Sequence, residues 1–378
     1  MPVEYVPGLA GVPAAESAIS FVDGEKGRLE YRGFPIAELA AHCTFEEVAH
    51  LLLFGELPGE AELEGFRGAL AAGRALDPAV TAVAASLPRG GHPMSALMAL
   101  TAALGMAHPA RDVRNPEVQR ETAVRLIAQM PVLTALFHHV RGGTEVPPPR
   151  DDLSQAENFL YMLSGKTPAP VAARVLDTAL VLHADHTMNA STFTARVVGS
   201  TLSDGYSVVA AALGSLYGPL HGGANEAVLH MLDAMGDVDA VRSRVESMIE
   251  RKEKIMGVGH RVYKVKDPRA YILQALAEEL FGEVGRSPTY DLARTLEAVV
   301  TERLGAKGIY PNVDFYSGIV YDQLGIPRDL FTPVFAISRV AGWCAHWIEQ
   351  LVDNRIFRPR QVYTGVHDRS VAPIETRS

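Results

Sequence analysis

The chain has 378 residues, and its 35 basic and 44 acidic side chains give it a net charge of −9. This length allows a sizeable core and predicts two domains, while the acidic balance argues against a general nucleic-acid binder. The only cysteines, Cys43 and Cys344, indicate a reducing compartment and exclude a disulfide scaffold. No basic residue precedes Lys26, and the longest uncharged apolar run, residues 94–107, is too short to span a bilayer. We therefore expect a cytoplasmic protein without a membrane segment.

Strand signals are confined to the N-terminal part of the chain. Residues 20–22 and 28–31 flank the sequence Asp-Gly-Glu-Lys-Gly, a pattern typical of one short β-hairpin. No series of β-branched runs alternates with helical segments, which argues against a parallel α/β sheet. The chain contains neither GxGxxG nor a Walker loop, so nothing in it indicates a dinucleotide or P-loop nucleotide site.

Helix signals dominate the rest of the chain and predict an all-α fold. Thr44 and Glu47 form a capping box, and Asn115-Pro116 begins a long helical segment that Pro131 is expected to kink. A second N-cap and proline pair begins a helix at residue 78. Further helices are predicted at 170–184, 191–201, 206–217, 226–234, 240–251, 268–281, 289–304, 315–324 and 328–352.

A basic segment interrupts this acidic chain. Residues 251–269 hold seven basic and two acidic side chains, a local charge of +5, and include the sequence MGVGHRVYKVKDPR. Charge runs of this kind usually form a solvated helix face. The glycines and His260 within the segment favour a binding site for a large anion instead.

Three polar stretches lie in otherwise apolar helical sequence: HADH (183–186), GPLHGGANE (218–226) and YPNVDF (310–315). His221 precedes a predicted helix, whose dipole disfavours the imidazolium, so a neutral ring can donate a hydrogen bond to a carbonyl that becomes an enolate. Asp314 is either an N-cap or, with its apolar neighbours, a carboxylate base of raised pKa. His183 and His186 would share a helix face and could be read with Asp185 as metal ligands, although core or helix-end histidines are more common.

These segments, in this order, resemble the active-site sequences of the citrate synthases. GVGHRVYKVKDPR (257–269) is similar to the family signature, and LHGGANE, HADH and PNVDFYSG are similar to its other conserved segments. YRGFPI (31–36) and RPRQVYTG (358–365) resemble the two ends, so the resemblance covers nearly the whole chain. It implies an all-α homodimer with a large domain (1–221 and 326–378), a small domain (222–325) and the active site in the cleft between them.

The resemblance also implies a role for individual residues. Three would be catalytic: His221 binds the thioester carbonyl of acetyl-CoA, Asp314 removes a methyl proton, and His260 polarises the oxaloacetate ketone and protonates the alkoxide. The expected ligands of the substrate carboxylates are His186, Arg269, Arg339 and, from the partner subunit, Arg358. The expected contacts to coenzyme A are Gly257, Val258, Gly259, Lys264 and Lys307. Lys264 stands where some members of the family have arginine.

The implied reaction is condensation of acetyl-CoA with oxaloacetate to citryl-CoA, followed by hydrolysis to citrate and CoA. Guanidinium groups suit the oxaloacetate dianion, and closure of the small domain would exclude water until the carbon–carbon bond has formed. Coenzyme A enters as a substrate, and neither a metal nor a resident cofactor is implied. Three alternatives remain open: a 2-methylcitrate synthase that uses propionyl-CoA, a zinc hydrolase built on His183, His186, His221 and His260, and a non-enzymatic helical scaffold.

Overall fold

The computed structural model describes residues 5–377, apart from the side chain of Glu283. A small antiparallel sheet of β1 (Ser20–Asp23), β2 (Arg28–Tyr31) and β3 (Phe34–Pro35) lies near the N-terminus. The helices are α1 (Ile36–His42), α2 (Phe45–Phe54), α3 (Glu60–Gly73), α4 (Pro78–Ser86), α5 (Pro93–Ala107), α6 (Pro116–Gly142), α7 (Gln155–Ser164), α8 (Pro170–His183), α9 (Ala190–Gly199), α10 (Gly205–Tyr217), α11 (Ala224–Met235), α12 (Val238–Glu250), α13 (Pro268–Glu279), α14 (Phe281–Val284), α15 (Pro288–Leu304), α16 (Val313–Gln323) and α17 (Phe331–Val352).

The all-α prediction is confirmed, and every predicted helix is present with boundaries that differ by a few residues. The capping box of Thr44 and Glu47 forms at the start of α2, and Asn115 caps α6. Three details differ: the hairpin gains the short strand β3, the segment predicted at 268–281 divides into α13 and α14, and 328–330 form a 3₁₀ turn before α17. Helices α1, α3, α5 and α7 were not predicted from the sequence.

Helix α17 forms the centre of the larger group of helices. Every side chain from Phe331 to Trp347 is buried, so over these residues the helix is enclosed around its whole circumference. It packs against α2, α6, α8, α9 and α10. A second group, α11 to α16, packs mainly within itself, and α13 and α16 also contact α8. Helix α8 therefore ends between the two groups, where the HADH segment begins.

Helix α6 continues through Pro131, which lacks the N–H that would bond to the carbonyl of Ile127. Gln155, at the start of α7, replaces that donor: its Nε2 lies 2.9 Å from the Ile127 oxygen, and its Oε1 accepts from Arg74 Nε at 3.0 Å. Arg74, Gln155 and Ile127 are all buried, and a buried polar atom without a partner lowers the stability of the fold. The side chain of Gln155 thus allows an interior proline in a core helix.

Within residues 5–377, α6 is also the one helix long and apolar enough to cross a membrane. Its most apolar 18-residue window is 78% buried inside the protein. This is the burial of a core helix, and a core helix passes the same test of length and composition.

We predict that Gln155→Leu lowers the free energy of unfolding by about 3 kcal/mol, because it leaves the Ile127 carbonyl and Arg74 Nε buried without partners. Urea denaturation measures the change. Pro131→Ala restores a backbone donor to Ile127, so in that background Gln155→Leu should cost about 1 kcal/mol less. If Gln155→Leu lowers the free energy of unfolding equally with Pro131 and with Ala at that position, Gln155 does not replace the donor that the proline lacks.

Candidate active site

Two segments that are distant in sequence pair as a short antiparallel bridge and bring His260 towards Asp314. The amide of Gly259 donates to the carbonyl of Tyr310 at 2.8 Å, and the amide of Asn312 donates to the carbonyl of Gly257 at 2.9 Å. The side chain of Asn312 adds a bond from Nδ2 to the Gly259 oxygen at 2.9 Å. Gly257 has a φ of +71°, and a Cβ there would lie 3.0 Å from the Cα of Phe315. Only glycine permits this backbone contact.

Asp314 is the second residue of α16 and does not cap it. Asn312 is the N-cap, and its Oδ1 accepts from the Asp314 amide at 3.0 Å. The Oδ1 of Asp314 is buried and has no hydrogen-bond partner within the described part of the chain. Burial raises the pKa of this carboxyl to about 7, although Arg269 opposes the rise. A carboxylate that is free to accept a proton, with a pKa near neutrality, suits a general base.

His260 has a defined tautomer. Its Nδ1 accepts hydrogen bonds from the amides of Val262 at 3.0 Å and Tyr263 at 3.2 Å. Because a backbone N–H can only donate, the proton of the neutral ring must be on Nε2. Burial, with a further contribution from Arg269, lowers the pKa of His260 to about 4. His260 is therefore a neutral hydrogen-bond donor near pH 7.

His221 lies in the turn between α10 and α11, three residues before α11 begins. Its Nε2 lies 2.8 Å from Ser191 Oγ and accepts from the Ser191 amide at 3.4 Å. Trp343 donates from Nε1 to the same hydroxyl at 3.1 Å, and the hydroxyl donates to Asn189 Oδ1 at 2.8 Å. That amide oxygen also lies 3.2 Å from His221 Nε2. The pKa of His221 is lowered to about 4 by burial and then by Arg339, so burial accounts for the neutral ring that was expected from the helix dipole.

His186 lies beyond the end of α8, which ends at His183. The expectation that His183 and His186 share a helix face is therefore wrong. The ring of His186 is buried, 5.3 Å from the ring of His260 between centres, and its Nε2 lies 3.2 Å from the hydroxyl of Tyr263. Burial, with Arg269 second, lowers the pKa of His186 well below its ordinary value. The two histidines expected to bind oxaloacetate thus lie side by side.

The two buried arginines of the site differ in their partners. Arg269 donates from Nε and Nη2 to the carboxylate of Asp267 at 3.0 and 2.8 Å, so its charge is already neutralised. Arg339 donates from Nε to the carbonyl of His183 at 2.7 Å, and its buried Nη2 has no hydrogen-bond partner within residues 5–377. Burial lowers the pKa of Arg339 to about 10. A ligand carboxylate would satisfy the free Nη2.

His183 has a structural contact of its own. Its Nδ1 lies 2.8 Å from the carbonyl of Ala179 and so donates to it, and burial lowers its pKa to about 3. No three His, Cys, Asp or Glu side chains come together as a metal-binding group in the part of the chain that the structure describes. The zinc hydrolase alternative therefore has no set of ligands in these residues.

The seven basic side chains of the segment 251–269 divide into five that are exposed and two that are buried and paired with carboxylates. Lys266 is buried and forms an ion pair with Glu297 at 2.5 Å, and Arg269 is buried with Asp267. Lys264 and Lys307 are exposed. A Cβ on residue 308 would lie 3.0 Å from the Lys264 carbonyl, so the backbones that carry these two lysines are in contact.

The other residues expected to contact coenzyme A, and Arg358, which is expected to reach the partner's site, do not join the cluster of buried side chains. Gly257 and Gly259 are used in the bridge to 310–312, and Val258 is partly buried between them. Arg358 is exposed in an extended tail and makes no hydrogen bond within the described residues. The residue before it, Phe357, is held by a bond from its amide to Ser200 Oγ at 3.1 Å. Arg358 therefore lies outside the cluster of its own chain.

Sequence reasoning missed four residues that hold this cluster: Ser191, Tyr263, Asp267 and Trp343. Asp267 precedes a proline, as Asp77 does, and this N-cap signal could have placed it at the start of α13. The other three have no local signal, because their roles depend on contacts across the fold.

The chain matches the family model described as "Citrate synthase, C-terminal domain" over residues 8–360. It is 55% identical over 370 residues to a citrate synthase of Synechocystis, covering 98% of this chain and 93% of that protein. It is 47% identical to a citrate synthase of Deinococcus radiodurans over 98% of both chains.

Solved structures show the same likeness. The citrate synthase of Pyrobaculum aerophilum superposes with a TM-score of 0.93 at 43% identity, over 98% of this chain and 95% of that one. That of Thermoplasma acidophilum, solved as a ternary complex with carboxymethyl coenzyme A and oxaloacetate, has a TM-score of 0.93 at 36% identity, over 99% and 100% of the two chains. By sequence and by fold, the chain belongs to the citrate synthase family.

Proposed function

We propose that this protein is an acyltransferase that condenses acetyl-CoA with oxaloacetate and water to give citrate and CoA. The observation that carries the proposal is the buried carboxylate of Asp314, with its raised pKa and unpartnered Oδ1, among neutral histidines. The complex of the Thermoplasma acidophilum relative supports the same two substrate classes here.

In the first step, Asp314 removes a methyl proton from acetyl-CoA while His221 donates a hydrogen bond to the thioester carbonyl. This requires the proton of His221 on Nδ1, the tautomer in which Nε2 accepts from the Ser191 amide. A base and an oxyanion donor that act together lower the barrier to the enolate. Near neutral pH His221 is neutral, and the part of Asp314 that is ionised there can act as the base.

In the second step, the new carbon nucleophile attacks the ketone of oxaloacetate. His260 donates a hydrogen bond from Nε2 to the ketone oxygen and then transfers that proton to the alkoxide. Asp314 has by then gained one proton from the methyl group and His260 has lost one, so the number of protons on the protein is unchanged. The free Nη2 of Arg339 and the adjacent His186 bind the substrate carboxylates, with Arg269 beside them.

Hydrolysis completes the reaction: water attacks the thioester carbonyl of citryl-CoA, and the CoA thiol leaves. The cleft for this chemistry lies between a small domain of residues 222–325 and a large domain of residues 1–221 and 326–378. The self-contained packing of α11 to α16 supports this division. Closure of the small domain would exclude water until citryl-CoA has formed.

Coenzyme A binds as a substrate at the exposed Lys264 and Lys307, near the backbone of Gly257, Val258 and Gly259, and no resident cofactor or metal takes part. Exposed lysines suit phosphate groups as point charges. We place the reaction in the cytoplasm, as the two free cysteines favour a reducing compartment.

The enzyme acts as a homodimer in which Arg358 completes the partner's site. Oxaloacetate is a dianion, whereas Asp267 already neutralises one of the two buried guanidinium groups. A second unpaired guanidinium is therefore needed, and Arg358 lies exposed on a tail outside its own cluster. In a two-fold dimer, such a contact occurs twice.

The purified protein should release CoA thiol from acetyl-CoA only when oxaloacetate is present. We expect kcat/KM for acetyl-CoA to exceed that for propionyl-CoA by about 10-fold or more, the discrimination that one methylene allows. A preference for propionyl-CoA would favour the 2-methylcitrate synthase alternative. Thiol release that is independent of oxaloacetate would contradict the condensation.

Asp314→Asn should abolish exchange of the acetyl-CoA methyl protons with solvent and leave oxaloacetate binding largely intact. In the unsubstituted protein, the exchange rate should rise with pH through about 7, because only the ionised carboxylate accepts a proton. Nuclear magnetic resonance measures the exchange. Asp239→Asn is a matched control, since Val238-Asp239 begins α12 as Val313-Asp314 begins α16, and Asp239 is exposed. Normal exchange in Asp314→Asn would exclude it as the base.

Asp314→Asn and Arg358→Ala homodimers should each be nearly inactive, whereas refolding them together at equal amounts should restore about a quarter of wild-type activity. About half of the dimers are then mixed, and each has one site with both residues intact. Arg360→Ala, an exposed neighbour on the same tail, should remain active as a homodimer. If mass spectrometry detects mixed dimers and no activity returns, Arg358 serves its own chain.

A further inference from the structure

The turn of the N-terminal hairpin contacts the loop that carries His260. The carbonyl of Gly24, between β1 and β2, accepts a hydrogen bond from the amide of Lys264 at 3.0 Å. A Cβ on Gly24 would lie 2.2 Å from the carbonyl oxygen of Val262 and 2.7 Å from its carbon. Gly24 does not have a positive φ, so the requirement for glycine comes from this close approach alone.

The strands of the same hairpin hold the turn that carries His186. Ser20, at the start of β1, accepts from the amide of Thr187 at 3.0 Å and donates to the carboxylate of Asp185. Tyr31, at the end of β2, donates from its hydroxyl to the carbonyl of Asp185 at 2.8 Å. The hairpin therefore spans the two segments that carry His186 and His260.

The peptide that Gly24 touches is also the one that orients His260. The carbonyl of Val262 and the amide of Tyr263 belong to one planar unit. That amide donates to His260 Nδ1 at 3.2 Å, next to the bond from the Val262 amide at 3.0 Å. A displacement of the Val262 carbonyl must therefore move a donor that keeps the His260 proton on Nε2.

We propose that the β1–β2 turn is a positioning element of the active site: through the peptide between Val262 and Tyr263, Gly24 sets the orientation and tautomer of His260. The inference rests on the proposed role of His260 in polarising the ketone. The turn does not touch the substrate, and it acts through the loop.

Gly24→Ala tests the inference. The added methyl must displace the Val262 peptide, and we expect kcat/KM for condensation to fall about 100-fold, the loss that a displacement of about 1 Å causes. Hydrolysis of supplied citryl-CoA should fall much less, because its former ketone is already an alcohol. Gly65→Ala, in the interior of α3 where a Cβ meets nothing within 4 Å, is the control.

Condensation by Gly24→Ala at the rate of Gly65→Ala would overturn the inference. An equal loss in both half-reactions would also overturn it, because that is the result of a merely structural defect.

Two further measurements support the test. A rescue by a second substitution separates the effect from a folding defect, and the tautomer of His260 can be measured without turnover. Gly27→Asn tolerates the φ of +63° but places a Cβ 2.8 Å from Val265 Cγ2, so Val265→Ala should restore the condensation that Gly27→Asn loses. In addition, NMR of nitrogen-labelled histidine, assigned with His260→Gln, should show the Nε2–H tautomer in the wild type and a mixture in Gly24→Ala. An unchanged tautomer would overturn the inference even if the wild type does not condense the proposed substrates.

Discussion

Backbone pairing between residues 257–259 and 310–312 holds together the two loops that carry His260, the proposed proton donor, and Asp314, the proposed base. Helix packing alone positions side chains on rigid rods, whereas this site requires two loops to meet in register. The bridge achieves that with two bonds between backbone groups, donated by the amides of Gly259 and Asn312, which do not depend on rotamers. The side chain of Asn312 adds a third bond. Asn312 has a second function, because it caps α16 and thereby leaves the carboxylate of Asp314 without an N-cap partner. One residue thus aligns the loops and leaves the carboxylate of Asp314 free.

Burial controls the ionisation of the cluster. It lowers the pKa values of His221 and His260 to about 4 and raises that of Asp314 to about 7, so hydrogen-bond donors and a potential base coexist near neutral pH. The buried guanidinium of Arg339 adds to the effect on His221 and partly opposes it on Asp314. Preorganised groups of this kind need little rearrangement when substrate charge develops.

The sequence predicted the all-α class and most of the helices, because capping boxes, N-cap prolines and apolar periodicity are local signals. It also supplied the ordered motifs from which the family follows. It could not predict partners across the fold: a local charge count could not show that Lys266 and Arg269 are neutralised by Glu297 and Asp267. The spacing of His183 and His186 suggested a shared helix face, although the helix predicted at 170–184 ends within one residue of the observed end of α8 at His183 and so excludes His186.

Arg269 has a carboxylate partner within the chain and Arg339 does not, and this difference bears on how the complete site is assembled. Asp267 neutralises Arg269 and fixes its guanidinium, which lowers the cost of burial but removes a full charge from the attraction of a dianion. Of these two arginines, only Arg339 retains a buried donor without a partner within the described chain. A single chain thus provides only one unpaired buried guanidinium in the site, whereas the proposed substrate, oxaloacetate, has two carboxylates. In the proposed dimer, an exposed tail of the other subunit supplies the second guanidinium, so no unpaired charge needs to be buried before the substrate arrives. Under that proposal, the complete site is a property of the dimer.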